Sequence, residues 1–168
     1  SEARETTASG RGLDIDLNDR GPLANSVTYT KMFWIDSDIA WEPEDFMRLY
    51  RSPHAVISAL YLLNKDQAAA HAENLNKLVR SGEVVEVDSV GFGFVAVQSG
   101  VFEAIERPWF ATDLESRWTA TGKKTRIPMG EDVSWCRKVR NRGYKIHLDT
   151  SVRVQHLKIV PLTWDPKN

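Results

Sequence analysis

Cysteine is almost missing from this chain of 168 residues: Cys136 stands alone. An internal disulfide and a cysteine-based metal cluster are both excluded, which suits a reducing compartment and leads us to expect a cytoplasmic setting. An excess of charge is missing too, since 22 Lys and Arg face 23 Asp and Glu for a formal net charge of -1. Balanced charge gives no strong overall field toward nucleic acid or an anionic membrane. No apolar run approaches the ~20 residues of a membrane-spanning helix, and the N-terminus lacks the basic-then-apolar order of a signal peptide. No internal repeat or low-complexity tract is visible. What is present, 42% hydrophobic and 10% aromatic residues, is enough for one ordinary core. We therefore expect a single domain over 31–168, preceded by a polar, loop-rich segment over 1–30 with turn signals at Ser9-Gly10-Arg11-Gly12 and Asn18-Asp19-Arg20-Gly21-Pro22.

From Lys31 onward the pattern sharpens. Lys31-Met32-Phe33-Trp34-Ile35 reads as a buried strand that delivers acids at its C-terminal end. Pro43, with Glu44 and Asp45 behind it, opens a short helix to about Tyr50. Ala55 to Tyr61 reads as a second buried strand. Asp66 then caps an expected helix whose apolar face is Ala68, Ala72, Leu75, Leu78 and Val79, with Gly82 ending it. Glu83–Val87 alternates like an edge strand, Phe92–Val97 is an apolar strand, and a helix is expected over Ser99–Ile105. Arg107–Met129 reads as a long functional loop. A helix opens at Glu131 and closes at Gly143, and Tyr144–Leu148 and Val152–His156 read as two short strands. Strands alternating with helices define an α/β layered domain.

Three constellations carry candidate chemistry. Asp36-Ser37-Asp38 places two carboxylates at the end of a buried strand, where such oxygen ligands suit Mn²⁺ or Mg²⁺. Gly130-Glu131-Asp132 places two more at a helix start, where backbone N–H groups and the dipole favour the ionised form that a general base requires. His156 continues the apolar face of Val152 and Val154, and a neutral imidazole there can join carboxylates around a metal. Each alone has an ordinary counterpart: a solvated turn, first-turn acids, a satisfied core histidine. His54, His71 and His147 have no ligand partner in sequence. Gly91 and Gly93 let backbone approach a large flat group such as a sugar or base, or form a β-bulge. Trp109 and Trp118 offer faces for an acceptor sugar, or serve packing.

Taken in order, these pieces resemble the GT-A glycosyltransferases, in particular the inverting family-2-like enzymes and their β-1,4-galactosyltransferase relatives. Phe33-Trp34-Ile35-Asp36-Ser37-Asp38 resembles the strand with its DxD element, and Val87 to Phe94 resembles the acceptor-side strand. Gly130 to Cys136 with Gly143-Tyr144-Lys145-Ile146 resembles the ED helix and following strand, and Asp149 to His156 the closing segment. The likeness runs from about Lys31 to Leu157.

The resemblance implies a GT-A-like mixed sheet flanked by helices, and transfer of a sugar from a nucleotide diphosphate donor, UDP-hexose on family frequency, to a carbohydrate or other hydroxyl acceptor with inversion. It implies Asp36, Asp38 and His156 as metal ligands for Mn²⁺ or Mg²⁺, with Asp36, Asp38, Gly91 and Gly93 on the donor side. Asp132 becomes the catalytic base, and Glu131 the group that orients acceptor or base. The family's nucleotide-binding half before DxD is not supplied by residues 1–30, so it is expected upstream of Ser1 or lost. Two other functions fit the same acids: a sugar- or nucleotide-binding module without turnover, and a divalent-metal phosphohydrolase.

Overall fold

The computed structural model describes residues 2–10 and 21–158; the turn-rich residues 11–20 of the sequence reading lie outside the described residues. Helix α1 spans Glu2–Ser9 and a short 3₁₀ turn spans Pro22–Asn25. Then come strand β1 (Lys31–Ile35), β2 (Ile39–Ala40), helix α2 (Pro43–Arg51), β3 (Val56–Leu60), β4 (Leu62–Asn64), β5 (Gln67–Ala68) and β6 (Ala70–His71). The chain continues through a one-turn helix α3 (Leu75–Leu78), β7 (Val84–Val87), β8 (Ser89–Val90), β9 (Phe94–Gln98), and the β10 (Leu114–Trp118) and β11 (Lys124–Pro128) pair. Helix α4 (Glu131–Asn141), β12 (Ile146–Arg153) and β13 (Gln155–His156) complete it.

The core is a mixed five-stranded sheet in the order β1-β9-β3-β12-β7. β12 runs parallel to β3, whereas β9 is antiparallel to both β1 and β3, and β7 is antiparallel to β12. It follows that β1, β3 and β12 point the same way, and their carboxyl ends share one edge with the start of β9. In open α/β sheets that edge is where ligands usually sit. β3 is buried along its whole length and Phe94–Val97 of β9 likewise, as expected of central strands covered on both faces. One face carries Phe92, Phe102, Trp109, Phe110 and Trp135, all at most 1% exposed; the other carries Leu49, Ile57, Phe94 and Val152.

Several elements differ from the sequence reading. The polar, turn-rich composition of 1–30 reads as loops, while the resemblance offers Ser1-Glu2-Ala3-Arg4-Glu5 as the remnant of a helix before DxD; Glu2–Ser9 is helical. Its order is tertiary in origin: Ala8 is 1% exposed, and Glu5 accepts hydrogen bonds from Arg107 Nε and the Phe110 N–H, both at 3.1 Å. The helix expected after Asp66 is instead two short strands and the single turn α3, because Ala69 N–H is drawn to Tyr61 O at 3.0 Å and β6 pairs with β8. Ala68, Ala72, Leu75 and Val79 do face the core, so the spacing reported burial and not helix. Ser99–Ile105 forms successive turns, with Gly100 at φ 95° where a right-handed helix cannot start. The long loop from Arg107 contains the β10–β11 hairpin, and the two expected C-terminal strands are largely one, β12, with an irregularity between Asp149 and Arg153. Among the described residues, no helix is long and apolar enough to cross a membrane.

That irregularity is held by Asp149, 2% exposed, whose Oδ1 accepts from the Ser151 N–H at 3.1 Å and the Ser151 hydroxyl at 2.5 Å. Arg48 Nε donates to its Oδ2 at 2.8 Å. Burial alone raises this carboxyl, but the Ser151 hydroxyl, Arg48 and the Ser151 N–H outweigh it and hold it below its ordinary value. A depressed folded-state pKa gives stability that is present above the unfolded value of about 3.9 and lost as pH falls through the folded one. Asp149→Asn is therefore expected to lower the unfolding free energy at neutral pH by about 2 kcal/mol, the scale of hydrogen bonds to a charged group. In acid denaturation series the gap between the two proteins closes below about pH 4. A gap of constant size down to the acid limit would remove the charge of Asp149 from the explanation.

Candidate functional site

The end of β1 places Asp36 at the sheet edge, where its N–H donates to Gly93 O at 2.9 Å and its carbonyl accepts from Ile39 N–H at 3.1 Å. This turn, Asp36-Ser37-Asp38, has a different partner at each end.

At the far end lies His156. β13 pairs with β2 so that His156 stands opposite Ile39, and Leu157 N–H donates to Asp38 O at 2.7 Å. The His156 Nε2 is 3.0 Å from Asp38 Oδ2, and its Nδ1 is 2.9 Å from Leu62 O. The Leu62 carbonyl can only accept, so Nδ1 carries the proton of that contact and Nε2 is the nitrogen turned to the Asp38 carboxylate. Lys158 Nζ also approaches Nε2, at 3.0 Å, and the Tyr61 ring meets the imidazole edge-on at 5.8 Å. Two residues far apart in sequence are thus brought into contact.

At the near end Asp36 turns away from this pair and toward Arg4. The Arg4 Nη2 donates to Asp36 Oδ2 at 3.2 Å, while Nη1 donates to Glu131 Oε1 at 2.8 Å and, more closely, to Asp132 Oδ1. One guanidinium therefore holds three carboxylates, two of them from the start of α4, and its own charge is kept against burial by Asp132, Asp36 and Glu131 together. The Arg4 group also sits over the Phe92 ring, 5.5 Å from its centroid. The other Asp132 oxygen, Oδ2, accepts from the Phe92 N–H at 3.2 Å. Burial pushes the Asp132 carboxyl above its ordinary value, with Glu131 and Asp36 adding repulsion, and Arg4 and the Phe92 N–H pull the other way. Among the described residues, no three His, Cys, Asp or Glu side chains are grouped so as to hold a metal ion: Asp36 is in the Arg4 cluster, and Asp38 with His156 makes a pair.

Tyr61 follows β3 and closes the floor. Burial pushes its hydroxyl up to about 12, so it remains protonated, and it accepts a hydrogen bond from Gly93 N–H at 2.9 Å. The flat group that Gly91 and Gly93 admit is this ring. A Cβ on Gly91 would lie 2.3 Å from Tyr61 Oη, and one on Gly93 2.7 Å from Cζ. A cavity of about 230 Å³ opens beside it, lined by Arg4, Tyr61, Gly91, Glu131 and Asp132 among others. Through His71, Ser89, Gly130 and Val133 it adjoins a cleft of about 600 Å³ under the β10–β11 hairpin, which also touches Arg137 and Arg140.

Neither candidate tryptophan lies in that cavity. Trp109 is fully buried against Phe102, and Trp118 is 69% exposed on the hairpin. His54 and His147 stack on each other at 3.7 Å, and His71 lines the cavity and the cleft. The residue that sequence reasoning passed over is Arg4. An arginine in a polar N-terminal segment carries no local signal, and its partners are 32, 127 and 128 positions away. Cys136 is buried, with its thiol pushed up to about 12 by burial, and belongs to the core.

No protein-family model matches the chain, and no curated protein matches its sequence. Among solved structures, the crystal structure of A197 from STIV is similar at a TM-score of 0.48 and 17% identity, over 78% of this chain and 59% of that one. The chain thus spans about three fifths of that protein, and a likeness of this size carries no argument about function.

The electrostatics of the Arg4 cluster can be read directly. Arg4→Ala removes the main opposing charge, so Asp132 is expected to titrate higher than in the parent protein, and Arg4→Lys to fall between, since one ammonium cannot span three carboxylates as a planar fork does. Carboxyl carbon NMR over an acid titration measures this, and an Asp132 midpoint unmoved in Arg4→Ala would show that Arg4 does not set its charge.

Proposed function

We propose that the chain is the catalytic part of a GT-A-like glycosyltransferase, moving a sugar from a nucleotide diphosphate donor, with UDP-hexose the expected class, to an acceptor hydroxyl. The observation that carries this reading is the Asp36-Ser37-Asp38 turn, which joins an aspartate–imidazole pair to a carboxylate cluster at the carboxyl edge of the sheet. A site for group transfer with a charged leaving group needs a cation-binding element and a base a few ångströms apart. In this reading the turn supplies the cation-binding element through Asp38, and Arg4 ties its other end, Asp36, to the base Asp132.

In this reading Asp38 Oδ2 and His156 Nε2 hold the divalent ion, an oxygen and a nitrogen donor that suit Mn²⁺ or Mg²⁺, with remaining positions left to donor phosphate and water. When bound, the ion supplies neutralisation of the charge that gathers on the departing diphosphate. Asp132 takes the proton from the acceptor hydroxyl as that oxygen attacks the anomeric carbon and the bond to the diphosphate breaks, which inverts the configuration there. Its raised pKa suits the task, because a base that ionises too readily accepts protons poorly. Glu131 orients the acceptor, and Asp36, through Arg4, ties the turn to Glu131 and Asp132. The cavity beside Tyr61 receives the acceptor, and Gly91 lies along its wall.

A binding module without turnover is the second reading, favoured by the hold that Arg4 has on Asp132 and Glu131. The two separate in an assay with Mn²⁺, a panel of sugar nucleotides and simple sugar acceptors. Asp132→Asn is expected to lose transfer by about 10²–10⁴-fold while Mn²⁺ binding, followed by electron paramagnetic resonance, stays as in the parent. Asp38→Ala is expected to weaken Mn²⁺ and donor together. Donor binding without product in the parent protein selects the module, and donor breakdown with no acceptor present selects a phosphohydrolase. Mn²⁺ affinity that survives Asp38→Ala removes the ion from this position.

A further inference from the structure

The β10–β11 hairpin has two unlike faces. Its register pairs Leu114 with Pro128, Ser116 with Arg126 and Trp118 with Lys124, and alternation sends all six side chains to the same side. All six are exposed, with Leu114 at 57% and Trp118 at 69%. The inner side carries Glu115, Thr125 and Ile127, each half-buried, and Glu115 and Ile127 line the cleft that adjoins the Asp132 cavity. The outer face therefore holds two cations, an indole and Leu114, and no acid, while Pro128 at its root also borders the cleft. At its tip, Lys123 is also exposed, in a turn closed by Gly122 at φ 74°. Among the described residues, Lys124 and Arg126 have no ion-pair partner, and Trp118 makes no ring or cation contact.

An indole beside uncompensated cations on one exposed face of a hairpin is suited to a surface that is apolar beneath and anionic on top. Tryptophan settles at the headgroup level of bilayers, and each Lys or Arg near an anionic leaflet adds attraction. We infer that the outward face of the β10–β11 hairpin docks this chain on an anionic lipid bilayer. The near-zero net charge of the whole chain does not oppose this, because screening limits what distant acids contribute to one face. A charged polymer such as an acidic polysaccharide is the weaker fit, since it offers no apolar layer to the exposed Leu114 and Trp118 side chains.

Co-sedimentation of the full chain with phosphatidylglycerol vesicles and with phosphatidylcholine vesicles tests the inference, independently of any transfer activity. Binding is expected on phosphatidylglycerol only, weakening as salt is raised. Trp118→Ala and the pair Lys124→Glu with Arg126→Glu are each expected to weaken it, by about fivefold for each charge neutralised and further on reversal. Arg51→Glu, an exposed change on α2, leaves it unchanged. All altered side chains are exposed, so far-ultraviolet circular dichroism and the thermal midpoint should match the parent; should Trp118→Ala fold poorly, the charge pair decides alone. No sedimentation with phosphatidylglycerol at low salt, or binding that survives the charge pair, overturns the inference. Binding to heparin that needs the two cations but not Trp118, without vesicle binding, assigns the face to an acidic polymer instead.

Discussion

The arrangement of the site depends on one guanidinium shared among three carboxylates. Asp36, Glu131 and Asp132 come from opposite ends of the chain, and without a cation between them their mutual repulsion in a partly desolvated setting would cost several kcal/mol, since a pair of charges at ~4 Å interacts by about 4 kcal/mol at an effective dielectric of 20. Arg4 meets all three and lies on the face of Phe92. Its helix is in turn pinned at the next residue, Glu5, whose contact with Arg107 is a buried pair, their side chains 9% and 5% exposed. The Phe110 N–H adds a second contact to the same carboxylate. A cation delivered in this way is a fixed part of the wall, held by the packing of α1, and not a mobile group free to reach in from solvent.

The core continues into the site without a break. Phe92 offers its N–H to Asp132 and its ring to Arg4, and that ring also packs edge-on against Trp135 at 4.8 Å and Phe110 at 5.1 Å. Trp34, one residue before the end of β1, meets both Phe92 and Phe110. Aromatic pairs of this kind are worth about 0.5–1.5 kcal/mol beyond their burial, and here they also fix the carboxylate geometry, because the strand ends that carry Asp36 and Phe92 cannot shift without disturbing the cluster. On the other side of the sheet edge, Tyr61 fits against Gly91 and Gly93 so closely that neither position has room for a side chain. The proposed chemistry thus sits on a rigid base, as general-base catalysis requires of its geometry.

Much of this was legible locally. The apolar run ending in Asp36, the proline-led α2, the edge strand at Val84–Val87 and the acid-led α4 closing near Gly143 all have boundaries set by neighbours within a turn or a strand: burial period, caps and glycines with positive φ. The approach of His156 to Asp38 was foreshadowed only by a resemblance in motif order, while the contact itself comes from β13 pairing with β2. The segment after Asp66 misled because apolar spacing records which residues are buried, and two short strands with one helical turn bury Ala68, Ala72, Leu75 and Val79 as well as a helix would.

From its amino-acid order alone, this protein is bound to be an α/β domain with carboxylates at the end of its first sheet strand and at the start of its last helix, because periodicity, capping and glycine placement act over a few residues and survive in any packing. The tertiary structure alone decided that Asp36 leans to Arg4 while Asp38 leans to His156, that the helix of Glu2–Ser9 is ordered, and that the hairpin turns an acid-free face outward. Those outcomes depend on partners 32 to 118 positions away, or on which side of a ribbon meets the core, and such choices are made by burial and charge across the whole fold.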